Sequence, residues 1–179
     1  MSKFWTGVGS RETPKDIMEL MTNISYKLGK NSWILRSGGA NGADNAFEKG
    51  AWETFTEERP EIYIPWDGFN QRTESMGYIV AENLPVWEES KKIASLIHPN
   101  WSACSNGAKS LHARNIMQVL GHDLRTPSKF LICWAKPDKY GDATGGTRTA
   151  WMLAKGHGIK RFNLFFNEDY DRIINWINS

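Results

Sequence analysis

Cysteine is scarce in this chain: Cys104 and Cys133 are the only two among 179 residues. Two thiols are too few for a disulfide scaffold, or for a tetrahedral zinc site of the usual Cys/His kind. Cys133 lies in the apolar run Phe130–Trp134 and is expected to be a buried thiol. No stretch approaches the roughly 20 apolar residues of a membrane span. The opening MSKFWTGVGS lacks the apolar core of a secretion signal, so the expectation is a cytoplasmic protein with no membrane association. Net charge is nearly absent too, since 22 basic residues against 20 acidic leave +2. A protein that coats long nucleic acid usually carries a strong basic excess; a binder of one compact anion does not need it. Several reaction signatures are missing. There is no G-x-x-x-x-G-K-[ST] loop and no G-x-G-x-x-G with an acidic residue at the dinucleotide distance. H-E-x-x-H, C-x-x-C and G-x-S-x-G are also absent, which removes the zinc-hydrolase, dithiol and serine-hydrolase readings.

What the chain does have is a regular alternation of apolar patterns, ample for one core. Phe4 and Trp5 open a first strand. Thr13, Pro14 and Asp16 read as N-cap, first helical position and capping partner of a helix. Ile17, Leu20, Met21, Ile24 and Leu28 form its apolar face, and Gly29 ends it. Residues 32–35 form a second strand. A helix follows from Ala43, whose face of Ala43, Ala46, Phe47, Gly50 and Ala51 is small enough to lie close to a sheet. Residues 61–65 form a third strand, stopped by Pro65. Residues 66–88 have no clean period and read as an irregular insertion. Helices are expected over 88–97 and 107–120, a strand over 130–134, a helix opened by Gly145, Gly146 and Thr147, a strand over 161–165 and a last helix through Ile177. Strands alternating with helices imply right-handed crossovers and a mainly parallel sheet. The fold class is α/β: a single domain over 1–179, built as a Rossmann-like three-layer sandwich. Nine tryptophans serve mainly as core and rim packing, with one or two free to stack on a base.

In an open parallel sheet, ligands sit beyond the carboxyl ends of the strands, where strand order reverses. Three strand-to-helix loops here are rich in glycine and small hydroxyl residues: TGVGSR, SGGANGAD and GDATGGTRTA. Each presents backbone N–H groups near a helix start, where partial positive charge favours a phosphate. Ser10, Ser37 and Thr147 add hydroxyl donors.

Taken together, these motifs carry a resemblance. The opening TG-x-GSR, the loop GGA-x-GAD, the run His112-Ala113-Arg114-Asn115 and the late Gly-Gly-Thr resemble the SLOG superfamily, and within it the YspA-like branch. The superfamily also spans the LOG nucleotide phosphoribohydrolases and the DNA-processing protein A family. The likeness covers nearly the full length except the irregular insertion. It implies a Rossmann-like fold that binds nucleotides or nucleotide-derived ligands. Gly7, Ser10 and Arg11 would line one wall, and Ser37, Gly38, Gly39 and Asp44 a second. Gly145, Gly146 and Thr147 would cradle a phosphate. Arg114 would clamp it, because a guanidinium can engage a phosphate with two hydrogen bonds. Asn115 would read a base edge or cap a neighbouring loop, Arg148 is a weaker cation, and Trp66 would stack on a base.

LOG-type enzymes cleave the N-glycosidic bond of a nucleoside monophosphate with a glutamate three residues after the Gly-Thr pair. Ala150 occupies that place here, and a methyl group moves no proton. Asp44 is the substitute carboxylate, although an acidic residue in a helix's first turn is also stabilised by the dipole alone. Glu48, Glu74, Glu88 and Glu89 are further carboxylates, and His112 a candidate proton donor. The sequence therefore points to capture of a small phosphorylated nucleotide derivative: a mononucleotide, an ADP-ribose-like compound or a cyclic nucleotide signal. Capture of an immune signalling nucleotide is a role the resemblance implies, as is self-association into a homo-oligomer. The alternatives are an N-glycosidase or related hydrolase, and a single-stranded DNA binder. No resident cofactor or metal is indicated; magnesium bridging phosphate and carboxylate is compatible, since it often uses only one or two protein ligands.

Overall fold

A computed structural model describes residues 2–179. Six strands form one sheet: β1 (Lys3–Gly9), β2 (Trp33–Ser37), β3 (Glu61–Ile64), β4 (Ile79–Val80), β5 (Phe130–Trp134) and β6 (Lys160–Asn163), in the order β4-β3-β2-β1-β5-β6. Every strand pairing is parallel. Order therefore reverses between β1 and β5, where Gly9 lies opposite Trp134.

The alternating side chains of β5 explain the three layers. Leu131 and Cys133 face one core together with α3 (Trp87–Ile97), α4 (Asn106–Leu120) and α5 (Arg148–Gly156). Ile132 and Trp134 face the other, with α1 (Lys15–Lys30), α2 (Ala43–Thr54) and α6 (Asn167–Ile177). The Cys133 thiol is fully buried, and desolvation pushes its pKa far up, so it has no thiolate chemistry. No helix of the described residues is long and apolar enough to cross a membrane.

Three details depart from the sequence reading. The 66–88 stretch is not wholly irregular. It contributes β4 at the sheet edge plus three short 3₁₀ turns. A two-residue strand is too short to show a period of two. Thr13 does not cap α1 with its side chain; its hydroxyl donates to the Ser10 carbonyl at 2.6 Å, and the helix starts after Pro14. Finally, Gly50 serves a helix contact rather than the sheet. A Cβ there would stand 2.3 Å from the Thr22 carbonyl oxygen and 2.8 Å from the Tyr26 nitrogen, both on α1.

That approach has a sign that can be checked. On an isolated helix, replacing glycine by alanine stabilises by roughly 1 kcal/mol. Here Gly50→Ala is expected to destabilise by about 1–3 kcal/mol, because backbone, not a flexible side chain, is in the way. Chemical denaturation measures it, and a stabilised variant would contradict the packing described.

Candidate functional site

The reversal point between β1 and β5 opens into a cleft of about 500 Å³. It is built from the ends of β1 and β5, the start of α2, the middle of α4 and the turn that opens α5. Of the residues expected at a site, Ser10, Arg11, Asp44, Arg114, Asn115, Gly145, Gly146 and Thr147 line it. Gly7, Ser37, Gly38, Gly39 and Trp66 do not.

The first loop is held by its backbone. Ser10 N–H donates to the Trp134 carbonyl at 3.0 Å, and the Ser10 carbonyl accepts from Ala43 N–H at 3.3 Å. One turn thus ties β1 to β5 and to the start of α2. Gly9 permits it, since a Cβ would stand 2.7 Å from the Ala43 methyl and 2.8 Å from the Trp134 oxygen. Gly7 is glycine for packing, with Leu35 and Phe47 at 2.9 Å from where its Cβ would be. Arg11 is exposed at the cleft.

The second loop is covered by protein. Asn70 Nδ2 donates to the Gly39 carbonyl at 2.9 Å, and a Cβ on Gly39 would meet the Arg72 side chain. Arg72 in turn pairs with Glu48 at 3.1 Å, and Tyr78 donates to the same carboxylate. The insertion therefore lies over the loop, and it occupies Glu48 structurally. Gly38 is enclosed as well, because a Cβ would run into Gln118, Asp44 and Arg114. Trp66 packs edge-on against Phe69 at 5.5 Å, outside the cleft. Glu74, Glu88 and Glu89 also lie away from the cleft.

The third loop is open. Gly145, at φ +67°, Gly146 and Thr147 form a 3₁₀ turn that runs into α5. No heavy atom lies within 4 Å of where a Cβ on Gly145 or Gly146 would stand. The first N–H groups of a helix have no acceptor within it, and the turn that carries them here lines the cleft. Asn115 fixes the turn by donating from Nδ2 to the Gly146 carbonyl at 2.9 Å. Its amide thus caps a neighbouring loop, the second of the two roles the sequence left open. Ala150, at the place of the LOG-type glutamate, is a methyl on the cleft wall.

At the cleft floor lie two buried charges. Arg114 is 4 % exposed and donates from Nη1 to the carbonyls of Gly38 and Tyr63, and from Nε to Asn115 Oδ1. Most of its donors are committed to the protein, so it stitches the ends of β2 and β3 to α4. Asp44 is equally buried; its Oδ2 accepts from Ala40 N–H at 3.3 Å, while Oδ1 has no partner. Burial pushes the Asp44 pKa up to about 6, against the opposing pull of the Arg114 charge. His112, on the cleft wall, donates to or accepts from Thr149 Oγ1 at 2.8 Å, and burial and the nearby His98 lower its pKa to about 4. This lowering favours the neutral imidazole at pH 7. Arg148 is not on the cleft; it donates to the Ile97 carbonyl at 3.3 Å.

Asp44 makes a prediction with a definite sign. Its folded pKa lies above the ordinary 3.8, so the folded chain binds this proton more tightly than the unfolded chain. The contribution is favourable below about pH 4 and is lost as pH rises through 6. Asp44→Asn should therefore gain relative to wild type by up to about 3 kcal/mol between pH 4 and pH 7. Denaturation of both proteins across that range measures it; a pH-independent difference would contradict the burial.

No protein-family model and no curated protein matches the chain. Solved structures do. The Moco carrier protein of Chlamydomonas rheinhardtii is 15% identical with a TM-score of 0.51, over 99% of this chain and 85% of that one. DNA processing protein A of Streptococcus pneumoniae is 16% identical with a TM-score of 0.51, over 99% of this chain and 56% of that one. Likeness at such identity bears on fold alone, and it agrees with the Rossmann-like α/β sandwich described above.

Proposed function

We propose that the chain binds a small phosphorylated nucleotide derivative in the cleft between β1 and β5. One observation carries the reading: Asp44, a buried carboxylate whose Oδ1 has no hydrogen-bond partner, lines the same cleft as the turn that opens α5. A buried acceptor left unpaired costs on the order of 1–3 kcal/mol, which a ligand that supplies a hydroxyl or amine recovers. The N–H groups around Gly145, Gly146 and Thr147, with Arg11 at the mouth, suit a phosphate. A ligand with an anionic group at one end and hydrogen-bond donors at the other describes a mononucleotide, an ADP-ribose-like compound or a cyclic nucleotide signal. Sequestration of such a signal is the role we favour. The Moco carrier neighbour adds the molybdenum cofactor to the ligands worth testing.

A second reading has its own support. A carboxylate with a pKa near 6 in a cleft is suited to general acid–base work, so hydrolysis of the N-glycosidic bond follows if Asp44 reaches the leaving group. Single-stranded DNA is the third, prompted by the DNA processing protein A neighbour and opposed by the near-neutral charge.

A panel of nucleotides, the molybdenum cofactor and an oligonucleotide separates these readings. Under simple binding, one nucleotide raises the melting midpoint by about 5–10 °C at a hundredfold excess over its Kd, and it is recovered intact by chromatography. Free base would establish the hydrolase, and a salt-sensitive oligonucleotide complex the DNA reading. Gly146→Asp should abolish the nucleotide shift with an unchanged midpoint in its absence, because the site of the new side chain is empty space. Full retention of the shift in that variant would place the ligand elsewhere.

A further inference from the structure

Beside the cleft, three side chains from three different segments meet. His98 follows the last residue of α3, Cys104 follows the short turn Trp101–Ala103, and His112 is on α4. One ligand atom from each can be chosen so that all lie within 4.8 Å of one another. Cys104 Sγ is 3.8 Å from His98 Nδ1 and 3.7 Å from its Nε2. In a tetrahedral zinc centre, with Zn–S near 2.3 Å and Zn–N near 2.0–2.1 Å, nitrogen and sulfur ligands are about 3.6 Å apart. The three ligand atoms are thus near enough for a common ion, and because Sγ is almost equally far from both ring nitrogens, the His98 ring must turn to aim one lone pair at it.

The surroundings match what such ligands require. His112 Nδ1 is 2.8 Å from Thr149 Oγ1. If Nδ1 carries the proton, it donates to that hydroxyl and leaves the Nε2 lone pair for a metal, the orientation that metal-bound histidines usually receive from a neighbour. The His98 and His112 rings lie 4.5 Å apart. His98 Nδ1 accepts from Asn100 N–H in an exposed turn, where water can replace that bond. Neither histidine nor Cys104 has an ion pair with a carboxylate among the described residues. All three are half-buried, which leaves a path for an ion to enter.

We propose that His98, Cys104 and His112 form a binding site for a thiophilic divalent ion of the zinc class. A soft thiolate with two imidazoles selects zinc or cobalt over magnesium or calcium. Binding releases the thiol proton to solvent and forms the metal–sulfur bond. Three protein ligands leave a fourth position for water, the arrangement of zinc sites that act on a substrate rather than only brace a fold. His112 belongs both to this cluster and to the cleft wall, so an ion here would sit at the margin of the cleft. The sequence conceals the site because its ligands are spaced x₅ and x₇ across a helix end, a turn and a second helix, with no C-x-x-C or H-x₃-H signature.

The test uses metal alone and does not depend on the nucleotide reading. Cobalt(II) added to wild type should give one equivalent of a coloured complex with a thiolate charge-transfer band, displaced by zinc. Cys104→Ser should abolish the band, and His98→Ala should weaken binding at least tenfold. In wild type, one equivalent of zinc should slow alkylation of Cys104 by iodoacetamide at least tenfold, and the fully buried Cys133 is the internal reference. The alkylation assay needs no variant, so a misfolded mutant does not affect it. Absence of the band, its persistence in Cys104→Ser, or an unchanged alkylation rate would each overturn the site.

Discussion

The organisation of the cleft depends on one buried polar arrangement. Arg114 is nearly inaccessible, and its guanidinium is tied to two strand-end carbonyls and to Asn115. A charge taken out of water is tolerated only when its donors are satisfied and a counter-charge is near. Asp44 supplies the counter-charge without closing into an ion pair, since no salt bridge joins the two among the described residues. One carboxylate oxygen is therefore left buried without a hydrogen-bond partner beside the cleft. Gly38 is a consequence of the same arrangement, because any side chain there would displace the cluster.

The three glycine loops do different work. Two of them are glycine-rich so that the protein can pack against itself. Gly7 and Gly9 let β1 lie against Phe47 and Ala43, and Gly38 and Gly39 leave room for the buried cluster and for the insertion. Only the turn Gly145–Thr147 leaves its glycines facing space, and Asn115 holds it there. The cleft thus has one end rich in N–H donors and another with a free acceptor. That division of labour supports a ligand with a phosphate and a polar head more than it supports a bare anion.

The alternation of strands and helices was legible because each element presents a clear face: Ile17, Leu20, Met21 and Ile24 all prove buried, as do Leu131 and Ile132. The reversal point was legible from topology alone, and it brought Ser10, Asp44 and Gly146 to one place. What a linear pattern could not carry was what lies over what. Residues 70–72 cover Gly39 by tertiary contacts with it and with Glu48, while Gly38 is enclosed by Gln118, Asp44 and Arg114 and Ser37 is buried in β2. Trp66 packs against Phe69, a contact between two residues of the same insertion. Glycine was the most ambiguous residue, since close packing and ligand approach both select it and Gly50 resembles Gly146 until neighbours are known. The juxtaposition of His98, Cys104 and His112 is likewise a property of the folded chain alone.

The central claim is that the cleft between β1 and β5 receives a phosphate at the start of α5. Amide chemical shifts of the isotopically labelled protein during titration with the panel nucleotide that raises the melting midpoint test it most directly. The account predicts that the amides of Gly145, Gly146 and Thr147 move together and saturate at one equivalent, with Asp44 and Ser10 following. Saturable shifts confined to other surfaces, with these three amides unmoved, would contradict it.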